Sequence, residues 1–405
     1  MKLKLNNKVL LIIILSCSNE NKENVEMNYP ETKKDNISEI IFGKRIRDPF
    51  RWMEDEYSDE TIKWVNQQND LTDKYFNKIP FLKKIEDRLK NIWNHPSESI
   101  PIVKKDILYY FYNDGLKNQS ILRSKTKNTH QTSTIIDPNL LSSDGSKSIG
   151  GLYFSNDDRY LGYTVNNSGS DWQEIKILRL EDQFLFKDSL KRVKFSGIEW
   201  YQNGFFYKRY PDTKTNKILS EKNFNSRIFY HTLGNKQDRD ILVKTPFKSE
   251  YISPWVSVTE DEEVLFLYGY SGTYGNSLYY KKTNSKNNNW ICLIEDYDSD
   301  SRVIRKIKNH VFIITDRYSP YKKLIKVSLD NLSEENWITL IEGEENEVLK
   351  EIKIIGNKVF AHFYKDVISS WKIFNLEGEF IEEVKFPGKG IVNGFDGILS
   401  SKDTY

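Results

Sequence analysis

The sequence predicts an all-β fold: a seven-bladed β-propeller with its last blade incomplete, preceded by a short N-terminal helical segment. Three observations carry this reading. From residue 100 onward the chain is a succession of short apolar or alternating runs rich in Tyr, Phe, Ile and Val, divided by Asp, Asn, Gly and Ser turns. One unit recurs, a polar turn followed at once by an apolar run with an aromatic residue, at Asp106, Asp158, Asn203, Asp261, Asn309, Asn357 and, weakly, Asp396. The intervals are 52, 45, 58, 48, 48 and 39 residues, close to the roughly 40 to 50 of a four-stranded blade. A sheet with two apolar faces cannot bury both alone, and radial stacking buries each against a neighbour. A long sandwich is the alternative, but the period is too long for single strands and too regular for chance.

Composition agrees with abundant strands: 24 Tyr and 22 Phe stand against 3 Met and 11 Pro. Sixty Lys plus Arg balance 58 Asp plus Glu, leaving a net charge of +2, which excludes a nucleic-acid binder built on a dominant basic field. A mean hydropathy of −0.63 excludes a multispanning helical membrane protein.

Taken in order, residues 1–17 read as a secretion signal. Lys2, Lys4 and Lys8 precede the apolar run Val9 to Leu15, far shorter than the roughly 20 residues of a spanning helix. The run ends at Ser16-Cys17, which resembles the lipobox of bacterial lipoproteins, where the cysteine is lipidated and becomes the mature N-terminus. An exported, lipid-anchored chain, periplasmic or at the cell surface, is the expectation, with the polar residues 18–28 as a tether. A buried strand that happens to contain Cys17 is the alternative. With Cys17 lipidated, Cys292 has no disulfide partner, and its neighbours Trp290, Ile291, Leu293 and Ile294 predict a small buried hydrophobe.

Residues 29–96 form the helical segment. Ile62, Val65, Asn69, Thr72 and Phe76 recur at helical steps after a capping Ser58, and Phe81, Ile85, Leu89, Ile92 and Trp93 repeat the geometry between Pro80 and Pro96. Residues 97–405 are assigned to the propeller. Only nine residues follow Asp396, so the seventh blade lacks most of its sheet. Either another segment completes the ring or the chain is a fragment.

No local motif announces chemistry. The nucleophile elbow G-x-S-x-G is absent, and its nearest approach, Gly269-Tyr270-Ser271-Gly272-Thr273, reads as a hairpin loop. His95, His130, His231, His310 and His362 are scattered, without metal-ligand spacing, and read as surface or half-buried structural residues. No phosphate-cradling glycine loop occurs, and no cofactor or metal is expected. Glu342, Glu344, Glu345 and Glu347 read as a solvated loop.

Longer strings are more specific. Gly43-Lys44-Arg45-Ile46-Arg47-Asp48-Pro49-Phe50-Arg51-Trp52-Met53-Glu54-Asp55, preceded by Tyr29-Pro30 and followed by Trp64 and Gln68-Asn69, resembles the N-terminal signature of the prolyl oligopeptidase family of serine peptidases. Gly115-Leu116-Lys117-Asn118-Gln119-Ser120, Asp137-Pro138-Asn139, Ser168-Gly169-Ser170-Asp171-Trp172, Val193-Lys194-Phe195-Ser196 and Tyr230-His231-Thr232-Leu233-Gly234 resemble the family's propeller strings in the same order. Phe50 stands where tyrosine is usual and Met53 where leucine is usual, changes that keep apolar volume.

The resemblance implies a serine endopeptidase that hydrolyses short peptides on the carboxyl side of proline, with the propeller restricting entry to small substrates. It implies a pocket-lining ring at Phe195, a domain-interface role for Asp171, and a structural role for Arg51 and Trp52. Family members continue into a C-terminal α/β-hydrolase domain bearing a Ser, Asp, His triad, and none of that domain is found here, so this portion is expected to be inactive alone. The expected partners are short proline-containing peptides and that hydrolase domain, with membrane contact only through the lipid. A membrane-anchored propeller that binds a ligand without catalysis is the alternative; the incomplete last blade argues against it, because a stand-alone propeller should close.

Overall fold

A computed structural model describes residues 27–212, 223–285, 287, 289–394 and 397. Cys17 with its signal, and the turn at Asp396, lie outside the described residues. The chain divides into two compact units, one reaching Asn91 and one starting at Ile92.

In the first unit, Ser38–Ile41 pairs with Lys44–Arg47 through a tight turn at Phe42 and Gly43. Helix α1 (Asp59–Phe76) begins at Ser58, whose hydroxyl accepts a bond from the Thr61 amide at 3.2 Å, with Asp59 and Glu60 in the dipole-favoured first turn. Trp52 organises the unit. Its indole donates to the Lys33 carbonyl at 3.1 Å and meets Trp64 edge-on at 6.5 Å, while Trp64 donates to Thr32 at 3.0 Å. Arg51 bridges Glu39 at 2.9 Å and Asp48 at 2.7 Å. Helix α2 (Leu82–Trp93) follows. Of α1 only Thr61 is buried, and Ile62, Val65, Phe81, Ile85 and Leu89 leave 41 to 56% of their surface exposed.

Among its described residues the second unit consists of six antiparallel sheets, five of them meanders in chain order; in the first, Ser97–Glu98 and Ile102–Lys104 both pair with Ile107–Asn113. The first holds Ser97–Glu98, Ile102–Lys104, Ile107–Asn113, Ile121–Thr126 and Thr132–Ile136. The second holds Lys147–Phe154, Tyr160–Asn167, Trp172–Arg179 and Leu185–Lys194. The third holds Glu199–Tyr201, Gly204–Arg209, Arg227–Thr232 and Ile241–Leu242. The fourth holds Ser253–Val258, Val264–Tyr270, Asn276–Lys282 and Ile291–Ile294. The fifth holds Ser301–Ile307, His310–Thr315, Lys323–Ser328 and Ile338–Glu342, and the sixth Val348–Ile355, Lys358–Lys365, Ile368–Asn375 and Phe380–Glu383.

The recurring polar turn has a physical cause. Each of these hairpins needs a left-handed residue, supplied by Lys105, Asp158, Gln202, Glu262, Lys308 and Gly356. Acidic side chains brace two of the turns: Asp157 accepts from the Arg159 amide and the Ser155 hydroxyl, and Asp261 from the Glu263 amide and the Thr259 hydroxyl.

From the second sheet onward the apolar run after the turn is buried on both faces, whereas in the first only Tyr109 and Tyr110 are buried. Along Val264–Tyr270, Val264, Phe266 and Tyr268 pack with Val311 and Ile313 of the fifth sheet, while Leu265 and Leu267 pack with Phe206 and Ile228 of the third. Each such side chain contributes about 1.5–3 kcal/mol. Tyr109 and Leu122 likewise meet Leu161 and Tyr163, Ile175 and Leu190 meet Phe205 and Tyr207, and Phe312 and Leu324 meet Leu349 and Ile352. This sheet-on-sheet succession is a β-propeller.

The expected count of seven blades is corrected to six among the described residues. After Glu383 no further strand forms among the described residues, and the chain returns along the sixth sheet. There the Val384 amide donates to the Trp371 carbonyl at 2.8 Å, and the Trp371 indole donates to the Val392 carbonyl at 2.9 Å. Val384, Phe386 and Val392 cover Ile355, Phe360, Trp371 and Ile373. Pro387, Gly388 and Gly390 interrupt this stretch and disfavour a ladder.

Two smaller expectations also fail. Cys292 is exposed: a register shift between Leu278 and Tyr279 turns Leu293 and Ile294 inward and leaves Ile291 and Cys292 outside. His231 and His362 are not surface or half-buried residues but core ones, 0% and 2% exposed.

Candidate functional site

Phe195 follows the last strand of the second sheet with φ 49°, a left-handed conformation that bulky residues seldom adopt. Its ring is 64% exposed, which removes it from the blade core. It lines a cavity of about 450 Å³ together with Tyr153, Asn166, Asp171, Gln173, Ser196, Gly197 and Trp255. The structure therefore brings both sequence-derived candidates, Phe195 and Asp171, to one cavity.

Lys194 links them. Its ammonium lies 3.4 Å from the Asp171 carboxylate, 5.1 Å from the centre of the Phe195 ring and 5.5 Å from that of Trp172. Because Asp171 is open to solvent, this pair contributes at most about 1 kcal/mol, and its effect is to orient the groups.

The local sequence explains the geometry. In the second sheet Trp172 faces Lys194 and Gln173 faces both Val193 and Asn166. The first strand bulges between Ile149 and Leu152, at Gly150-Gly151. A Cβ at Gly150 would collide with Thr164 and lie 2.7 Å from Asn166 Oδ1, and one at Gly151 would collide with the Tyr153 ring. Ser196 secures the chain beyond Phe195, donating to the Gly197 carbonyl and accepting from the Lys208 amide, both at 2.9 Å.

The result is three aromatic walls (Tyr153, Phe195, Trp255), two amides and one carboxylate already paired with lysine. Burial pushes the Tyr153 phenol up, so it stays neutral at physiological pH. A cavity so lined suits an apolar ring and uncharged polar groups. Sequence reasoning missed Tyr153, Asn166, Gln173, Gly197 and Trp255. The one available signal was the Gly150-Gly151 pair inside a strand run, a mark of a bulge or a close approach.

One serine does meet an imidazole elsewhere. Ser369 Oγ lies 2.8 Å from His362 Nε2 and also accepts from the Val392 amide at 2.8 Å. Both residues are buried, no carboxylate is bonded to the ring, and Ser369 is committed to holding residue 392. This pair is structural, and burial lowers the affinity of His362 for a proton.

Buried charges tie the third sheet to its neighbours. His231 binds Asp188 at 3.0 Å through Nε2 and Asp240 at 2.6 Å through Nδ1; Tyr207 donates to Asp240 at 2.6 Å and the Gly234 amide to Asp188 at 2.7 Å. Burial by itself would lower the histidine pKa, but the two carboxylates overcome it and raise it to about 9. Glu199 accepts from the Val258 amide at 2.7 Å, and burial pushes it up to about 7. Lys208 donates to Ser253 at 2.9 Å, and burial brings it down to about 8.

Comparison with known proteins agrees with the fold. The model of the prolyl oligopeptidase N-terminal β-propeller domain matches residues 29–405. The chain is 34% identical over 382 residues to a prolyl endopeptidase of Elizabethkingia miricola, covering 94% of this chain and 53% of that one. It is 31% identical to prolyl oligopeptidase A of Amanita bisporigera, covering 86% and 51%. A structure from a mechanistic study of two prolyl endopeptidases superimposes with a TM-score of 0.82 at 22% identity, covering 93% of this chain and 55% of that one. Prolyl oligopeptidase B of Galerina marginata bound to a 35mer superimposes with 0.79 at 23% identity, covering 92% and 56%. The chain thus spans about half the length of the curated relatives it matches. On the match of its fold and of residues 29–405, it belongs to the prolyl oligopeptidase family, within that family's N-terminal propeller domain.

Proposed function

We propose that this chain is the substrate-gating propeller portion of a serine endopeptidase that cleaves short peptides after proline, with the hydrolytic groups supplied by an α/β-hydrolase domain outside these residues. The observation that carries the reading is the cavity at Phe195, in a propeller of this family, with aromatic walls and neutral amides but no nucleophile–base pair. Phe195 lines the peptide site and Asp171 lies where the hydrolase domain docks. The exposed Ile85 and Leu89 on one face of α2, with Phe81 just ahead of the helix, offer that domain an apolar stripe as well.

The test is a chromogenic peptide with proline on the acyl side of the scissile bond. Residues 29–405 alone should give no turnover, and turnover above background would place the nucleophile inside the chain. Fused to the C-terminal half of the Elizabethkingia relative, the propeller should support cleavage of short peptides and exclude a folded protein carrying the same sequence. Equal cleavage of both would sink the gating role.

We further propose export and lipid attachment at Cys17, on the order of charged, apolar and small residues before it. Incorporation of labelled palmitate that is lost in Cys17→Ser tests this, and equal labelling of both refutes it.

A further inference from the structure

Asn166 and Gln173 face each other across the two central strands of the second sheet, on the wall of the Phe195 cavity. Gln173 Nε2 donates to Asn166 Oδ1 at 3.0 Å. That bond leaves Asn166 Nδ2 as a donor and Gln173 Oε1 as an acceptor, neither with a partner among the described residues and neither sealed from solvent. We infer that this amide pair is a main-chain clamp, which holds an extended, uncharged peptide by one backbone carbonyl and one backbone N–H while the aromatic walls take its side chains. The inference rests on the peptide-binding reading above and adds what that reading leaves open, the groups that recognise the backbone.

Three features favour this occupant. A free donor beside a free acceptor matches a peptide unit, as an open sheet edge does. The one carboxylate on the wall is engaged by Lys194, so no unpaired charge selects an ionic ligand. The pair is also held in place: Gly150 packs so closely against Asn166 and Gln173 that a Cβ there would lie 2.7 Å from one and 3.0 Å from the other. A rigid pair loses little entropy on binding.

The experiment measures binding of acetyl-Ala-Gly-Pro-amide, and of the same peptide methylated at the Ala and Gly backbone nitrogens, to the full chain by calorimetry. The unmodified chain should bind the plain peptide about fivefold more tightly, the worth of one net hydrogen bond. Gln173→Met, which keeps the shape but removes both the acceptor and the bond to Asn166, should abolish that preference. Asn166→Asp retains the acceptor for Gln173 but loses the donor, so it should weaken both peptides alike; it also serves if Gln173→Met fails to fold by circular dichroism. Preserved discrimination in Gln173→Met, or unweakened binding in Asn166→Asp, overturns the clamp while leaving the pocket intact. Binding of neither peptide by the unmodified chain overturns the peptide-site reading and the clamp with it.

Discussion

Replacing His231 by glutamine should flatten the alkaline side of the stability profile. His231 is fully buried, with Asp188 and Asp240 on its two nitrogens and Tyr207 donating to the second carboxylate. Its pKa is raised from 6.5 to about 9 on folding. A raised folded value means the stabilisation is fully present below pH 6.5 and is lost as pH climbs through about 9. At 1.36 kcal/mol per pK unit, the loss is about 3 kcal/mol. Glutamine can hydrogen-bond both carboxylates but cannot titrate. Urea unfolding followed by tryptophan fluorescence from pH 6 to 10 should therefore show the wild type losing about 3 kcal/mol more than His231→Gln over that window. Lys208 works in the opposite direction, because its lowered folded pKa adds stability as pH rises above about 8, but it is present in both proteins and cancels in the difference. Parallel pH profiles would refute the claim that a charged imidazole ties Asp188 of the second sheet to the third.

Two further outcomes are expected. Glu199→Gln keeps an acceptor for the Val258 amide and removes a charge whose folded pKa is raised from 4.5 to about 7, so it should stabilise the protein by about 3 kcal/mol at pH 8 and do nothing at pH 4; thermal unfolding at the two pH values reads this, and no gain at pH 8 would contradict it. Phe195→Gly releases a left-handed φ and forfeits little burial, so it should gain about 1 kcal/mol in urea unfolding while weakening peptide binding; a net loss of stability would show that the ring is held by packing instead.

The propeller was legible because its signals are local. Alternating apolar residues mark a strand wherever they occur, and the turn before each run needs a left-handed residue and side-chain oxygens such as those of Asp157 and Asp261. The Ser58 cap is local in the same way. Phe195 and Asp171 came from resemblance, since nothing in their own neighbourhood separates a pocket ring from a core ring. Asn166 and Gln173 stayed hidden because two amides on neighbouring strands carry no sequence mark until the register pairs them.

The repeating sheet unit and the family resemblance are both written in short stretches of chain. The tertiary structure alone decided the number of blades, the exposure of Cys292, the burial of His231 between two carboxylates and the walls of the cavity. The physical reason is that each of these depends on which distant strands meet and in what register, as when Tyr153 and Trp255, from different sheets, close on the same glycine at Gly197.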